Sequence, residues 1–197
     1  MRIAGGRLRN RPLYAPAGRA TRPTSDRVRE AIFNVLAHGI DGFALEGART
    51  LDLFAGTGAL GLEALSRGAR FALFVDESAA ARAAIRRNAE TLDVTGQIKI
   101  WRRDATRLGP CAPLAPFRLA FIDPPYGRGL GEAALAALVA GAWLEPGAVV
   151  VLEESERASV AAPGGLERLD SRAYGDTQVL FLRRAENRDP HPEPVEG

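Results

Sequence analysis

From residue 48 to residue 154 the chain repeats one pattern: a short apolar run, a polar turn, then a stretch whose small and apolar residues recur at helical spacing. The runs TLDLF (50–54), FALFVD (71–76), QIKIWR (97–102), RLAFID (118–123) and AVVVLEE (148–154) predict strands. ALGLEALSRG, SAAARAAIRRNAETL and EAALAALVAG predict helices between them. This alternation leaves little freedom of architecture. Parallel strands need a crossover, the crossover is right-handed, and its helices must cover the sheet faces. The expectation is an α/β fold with a mostly parallel sheet and helices on both faces. Two further runs, LERLDSRAY (166–174) and TQVLFLRR (177–184), are joined by Gly175-Asp176 alone. That spacing reads as a hairpin and adds an antiparallel edge.

The ends of the chain read differently. Residues 1–30 hold eight arginines against Asp26 and Glu30, a net +6, whereas the whole chain of 197 residues is +2. A basic segment on a mildly acidic body points to a polyanionic partner, most simply nucleic acid. Residues 2–16 alternate loosely around Gly5-Gly6, with Pro12 and Pro16, as a short hairpin or extended arm would. Thr24-Ser25-Asp26 then precedes VREAIFNVL, where Val28, Ile32, Val35 and Leu36 mark one helical face, Thr24 or Ser25 would cap it, and Asp26 would suit its positive end. The expected division is a basic arm (1–20), one catalytic-size domain (21–184) and a disordered, proline-rich tail (185–197).

Composition excludes several classes. No apolar run approaches the roughly 18–20 residues that span a bilayer, so no membrane association is expected. The N-terminal stretch lacks a secretory apolar core, and the single Cys111 can form no internal disulfide, which suits a cytoplasmic setting. With His38 and His191 the only histidines, no metal site is expected. No obvious apolar interface is evident, so a monomer is expected.

In open α/β sheets, ligands bind beyond the carboxyl ends of the strands. Four features fall there: the loop Gly56-Thr57-Gly58, Asp76, Asp104 in WRRDA, and the stretch FIDPPYG (121–127). The loop satisfies G-x-G-x-x-G through Gly61, a pattern that by itself is weak and also fits a tight β-α turn. Asp52, inside the preceding strand, changes its meaning. A carboxylate so close to the loop repels a pyrophosphate and attracts a cation, as S-adenosylmethionine is. Asp76 could accept both hydroxyls of a ribose, or could simply cap the next helix with Ser78. Asp104 could accept from an adenine amine, or be a solvated loop acid. In DPPY, Asp123 is driven to an extended backbone by the proline after it, and neither proline has an N–H. The turn therefore offers acceptors, the Asp123 carboxylate and the Pro124 carbonyl, beside the ring of Tyr126. That combination suits a planar ring with an exocyclic amine.

DLFAGTGALG, VDES, RRDA and DPPY together resemble the class I S-adenosylmethionine-dependent methyltransferases that act on planar amino groups. RPTSDRVREAIFNVL followed by LDLFAGTGALGLEALSRGA is similar to the bacterial 16S rRNA guanine-N2 methyltransferase family of the RsmD type, over about residues 2–184. The resemblance implies a Rossmann-like, seven-stranded sheet and methylation of guanine 966 of 16S rRNA, within an assembled small-subunit particle. It implies S-adenosylmethionine held by Asp52, Phe54, Ala55, Gly56, Thr57, Gly58, Asp76, Glu77, Asp104, Ala105 and Asp123, with Arg22, Thr24 and Asp26 closing over it. Asp123, Pro124, Pro125 and Tyr126 would hold a flipped base. Arg2, Arg7, Arg9, Arg11 and Arg128 would contact RNA phosphates.

Three rival readings stand beside this one. A nicotinamide dehydrogenase accounts for GTGALG and Asp76 but leaves Asp52 and DPPY unexplained. The same DPPY chemistry serves adenine-N6 DNA or protein-glutamine methylation, against which the short length and lack of a target-recognition domain count. A non-catalytic RNA-binding assembly factor would not need an intact DPPY.

Overall fold

The computed structural model describes residues 1–16 and 25–186. The alternating sequence forms α1 (Ser25–His38), β1 (Arg49–Leu53), α2 (Ala59–Ser66), β2 (Phe71–Val75), α3 (Ala79–Thr91), β3 (Ile98–Trp101), β4 (Phe117–Ile122), α4 (Leu130–Ala140), β5 (Leu144–Ser155), β6 (Leu166–Tyr174) and β7 (Thr177–Arg184). The strands make one seven-stranded sheet in the order β3-β2-β1-β4-β5-β7-β6. Pairings from β3 to β5 are parallel, and β7 pairs antiparallel with both β5 and β6. The order reverses between β1 and β4, so the carboxyl ends of those two strands flank the crevice where ligands of such sheets sit.

Alternate residues of each strand feed two cores. On one face α1, α2 and α3 cover Phe74, Phe121, Val151 and Phe181. On the other, α4 and the segment after β3 cover Leu53, Val75, Ile122 and Leu152. The central strands are buried on both faces, so they read as continuous apolar runs. Trp143 anchors the second core: it is fully buried, lies 5.9 Å from Phe117 centroid to centroid, and donates its indole N–H to the Gly109 carbonyl at 2.8 Å.

Boundaries shift where local chemistry overrides apolar patterning. Gln97 closes a 3-10 turn (Thr95–Gln97), so β3 starts one residue later than the apolar run. β5 starts at Leu144, ahead of Gly147 at φ 72°, and its register against β4 shifts between Phe117 and Leu119. α1 already begins at Ser25, with Asp26 in its first turn; Thr24 lies outside the described residues, as do residues 187–197.

The N-terminal stretch is a hairpin laid on the domain. Arg2 bridges Pro12, and across the turn Ile3 N donates to Arg11 O at 3.0 Å while Asn10 N donates to Ile3 O at 2.9 Å. Ile3, Leu8 and Leu13 are buried in the first core. Gly5-Gly6 sits on the carboxyl end of α2, where a Cβ on Gly6 would strike the Ser66 carbonyl and one on Gly5 the Arg67 guanidinium. Fully buried Glu63 accepts from the Ala4 and Gly5 amides at 2.8 and 2.7 Å and pairs with Arg67 at 2.8 Å and Arg29 at 3.4 Å. Farther along, Asn88 of α3 accepts from Tyr14 N at 2.7 Å and donates to Tyr14 O and Thr57 O, both at 3.0 Å. The hairpin is thus tied to the glycine loop as well as to α2.

Candidate active site

The loop after β1 turns sharply because three of its residues are left-handed: Phe54 at φ 55°, Gly56 at 56° and Gly58 at 78°. Gly58 leads directly into α2, and Gly61 packs so close to Phe74 that a Cβ there would overlap the ring. The amide of Gly61 donates to Asp52 Oδ2 at 2.9 Å in a buried bond. Burial pushes the Asp52 carboxyl well above the ordinary carboxylate range, and the nearby Asp123 and Asp76 charges add to the effect. Asp52 therefore stands behind the loop as its brace.

Asp76 follows β2 and accepts two amides, Gly56 N at 2.9 Å on Oδ2 and Ser78 N at 2.8 Å on Oδ1. Each oxygen keeps a lone pair for a further donor. Ser78 caps α3 by accepting from Ala81 N at 3.3 Å. After β3, Asp104 Oδ1 accepts from Thr106 N at 2.8 Å and Thr106 Oγ1 at 2.7 Å; these bonds hold its carboxyl below the ordinary range.

After β4, Asp123 is exposed, Pro124 is buried and Pro125 exposed. Tyr126 is half-buried and directs its hydroxyl away from the glycine loop, donating to Glu153 Oε1 at 2.7 Å and lying 3.0 Å from Thr177 Oγ1. The Gly127 amide donates to buried Glu154 at 3.2 Å. The DPPY turn is thereby fastened to β5 and β7.

A cavity of about 500 Å³ opens at this edge, lined by Phe54, Asp76, Glu77, Ala105, Asp123, Pro124, Pro125 and Arg128 among the residues expected from sequence. Asp52, Ala55, Gly56, Thr57 and Gly58 do not line it; the last four belong to the loop after β1, and Asp52 braces that loop from within β1. Asp104 adjoins it through Ala105, and Tyr126 stands outside its lining. Arg2, Arg7, Arg9 and Arg11 are exposed on the hairpin, with Arg11 donating to the Thr91 carbonyl at 2.6 Å. Arg22 and Thr24 lie outside the described residues. Sequence reading gave no ligand role to Val75, Ser78, Arg103 or Leu130, which also line the cavity. Arg103 lies with its guanidinium 4.7 Å from the Trp101 ring; its place beside Asp104 at a strand end was the available signal. Among the described residues no cluster could hold a metal ion and no helix is long and apolar enough to cross a membrane.

The mixed seven-stranded sheet, with acids beyond successive parallel strands and its antiparallel far edge, is the architecture of the class I methyltransferases. A family profile described as conserved hypothetical protein 95 matches residues 1–183, and the chain belongs to this family, the RsmD family. It is 36% identical to YlbH of Bacillus subtilis over 187 residues, 93% of this chain and 99% of that protein. It is 38% identical over 153 residues to ribosomal RNA small subunit methyltransferase D of Escherichia coli (strain K12), covering 78% of this chain and 74% of that one. The solved structure of yhhF from Escherichia coli superposes with a TM-score of 0.80 at 34% identity, covering 94% of this chain and 98% of that one.

Proposed function

We propose that the protein transfers a methyl group from S-adenosylmethionine to the exocyclic N2 of guanine 966 in 16S ribosomal RNA, on the assembled small-subunit particle. The observation that carries this reading is the disposition of carboxylates around the glycine loop. A pyrophosphate would need the loop amides, but Asp76 already takes Gly56 N–H and Asp52 takes Gly61 N–H. The cavity beside them is lined by three further carboxyl-bearing or carbonyl positions, Glu77, Asp123 and Pro124. Such a site fits a cationic, phosphate-free cofactor and opposes a dinucleotide. The ribosomal RNA methyltransferase relative in Escherichia coli supports the nucleic-acid class of substrate.

On this reading the remaining lone pairs of Asp76 accept from ribose hydroxyls, with Glu77 beside them. Ala105 and the Asp104 turn border an adenine. S-adenosylmethionine supplies a methyl group on a positively charged sulfur. Asp123 and the Pro124 carbonyl accept the amine hydrogens, orient the nitrogen lone pair toward the cofactor side, and Asp123 draws off the proton as the new bond forms. Catalysis is mainly positioning. A thiol intermediate is unnecessary: Cys111 is buried, and burial raises its pKa. Arg7, Arg9 and Arg11, with Arg2 and Arg128, meet phosphates, the hairpin acting as a basic arm. The enzyme works in the cytoplasm as a monomer.

The test is mass spectrometry of rRNA from a strain lacking the gene, complemented with wild type or Asp123→Ala. N2-methylguanosine at position 966 is expected to vanish, to return with wild type, and to stay absent with the variant. Its persistence in the deletion strain would refute the assignment.

A further inference from the structure

The contacts of Tyr126 extend the site beyond the cavity. Its hydroxyl carries one proton, which the Glu153 carboxylate receives at 2.7 Å. The Thr177 hydroxyl, 3.0 Å away, must then be the donor in its own bond to the phenol oxygen. The order is Thr177 to Tyr126 to Glu153, with each partner fixed by the strand it belongs to. Glu153 lies near the carboxyl end of β5, and Thr177 begins β7, antiparallel to it, so both stand at the edge that carries Asp123. Thr177 is 4% exposed and Tyr126 half-buried, leaving little water to compete for these bonds. Burial is also the chief reason the phenol is held well above its ordinary pKa; donation from Thr177 opposes the shift and the Glu153 charge adds to it. The ring thus stays neutral and keeps its proton, directed at Glu153. One residue on, Glu154 takes the Gly127 amide, so two successive side chains of β5, which leave the strand on opposite faces, both fasten the turn.

We propose that Thr177 and Glu153 are positioning residues that set the plane of the Tyr126 ring, making it the fixed far wall of the compartment for the target base. This rests on the functional reading above. The cofactor side of the edge lies over β1 and β2, where Asp76 and the glycine loop stand. Tyr126 bounds the other side, over β5 and β7. A base whose amine is on Asp123 then has its ring plane chosen for it before it arrives, and the rotational freedom of an untethered ring is removed from the transfer step.

The test is single-turnover methyl transfer from labelled S-adenosylmethionine onto unmethylated small-subunit particles, alongside calorimetric binding of the cofactor. Tyr126→Phe keeps the ring and removes both bonds; it should slow transfer by about 10–100-fold while cofactor affinity stays within about twofold. Thr177→Val should act in the same direction, Thr177→Ser should restore the rate, and the double variant should be no slower than Tyr126→Phe alone. A Tyr126→Phe rate equal to wild type overturns the proposal. Losses that multiply in the double variant also overturn it, since they would mean the two residues act separately. Should wild type itself transfer nothing while binding cofactor, the functional reading fails, and the proposal with it. Because slowed transfer in Thr177→Val and a wild-type rate in Thr177→Ser test the same bond, a poorly folding Tyr126→Phe would still leave the question answered.

Discussion

Replacing Glu63 by Gln tests what fastens the N-terminal hairpin. The side chain is fully buried, yet its carboxylate faces two backbone amides and two guanidiniums. Arg29 is 3% exposed and Arg67 20%, so Arg67 can turn toward water when its partner is neutralised but Arg29 cannot. Arg29 keeps Asp26, at 2.8 Å, as its second acid. Removing one member of a buried pair costs about 3–5 kcal/mol. The surviving Asp26 contact and the escape of Arg67 place Glu63→Gln near the lower end, about 3 kcal/mol. At about 2–4 °C per kcal/mol for a domain of this size, the melting temperature should fall by about 6–12 °C. Urea titration should show the midpoint lowered by about 1 M with the slope unchanged. Hydrogen exchange separates this from general weakening: the amides of Ala4, Gly5 and Leu8 should lose more protection than those of β1 and β4, in the middle of the sheet. A midpoint within about 0.2 M of wild type, with those three amides as protected as before, would refute the reasoning.

Other outcomes follow from the same geometry. Asp76→Ala, which frees the Gly56 amide and removes the proposed ribose acceptor, should weaken cofactor binding by about 100-fold in calorimetry. Gly61→Ala should cost about 1–3 kcal/mol in urea unfolding because its Cβ must displace the Phe74 ring, despite an allowed backbone. Asp52 gives a pH signature. Its folded-state pKa is raised above the ordinary 3.8, so the folded protein holds a proton the unfolded chain releases, and its contribution to stability declines as pH rises from that value toward the raised one. The stability of Asp52→Asn relative to wild type should therefore climb with pH over that window; a flat difference would contradict the burial argument. Replacing Arg7, Arg9 and Arg11 together by Gln should reduce the salt slope of RNA binding by about 2, at about 0.7 per phosphate of single strand, and an unchanged slope would exclude them as contacts.

The parallel sheet and its strand ends were legible because they rest on short-range patterns. Phe71–Val75 is apolar throughout and Phe117–Ile122 is apolar but for Arg118, as strands covered on both faces tend to be, and the acids just past their ends break those runs visibly. The destinations of polar side chains were not legible. Asp52 reads as an acid near a ligand, but whether it meets that ligand or the Gly61 amide depends on how closely α2 approaches β1. The Tyr126 hydroxyl has partners 27 and 51 residues away, and no local pattern marks either. Gly5-Gly6 resembles an ordinary turn until α2 is placed beneath it. The arginine-rich start reads as a basic hairpin or arm because its charges are conspicuous, whereas Ile3, Leu8 and Leu13, five residues apart and so at neither strand nor helix period, are what bind it to the core.

The position of β7 has a consequence for synthesis. It is the last described strand in sequence but sits inside the sheet, between β5 and β6. While a ribosome is still adding residues before Thr177, the long edge of β5 has no neighbour, and an unpaired strand of that length invites association with other nascent chains. The acids at the ends of β1 and β2 can already be in place at that stage, but the tyrosine of the DPPY turn lacks the threonine that donates to it. The Tyr126 contacts of the site can therefore form only after the segment carrying Thr177 has left the ribosome.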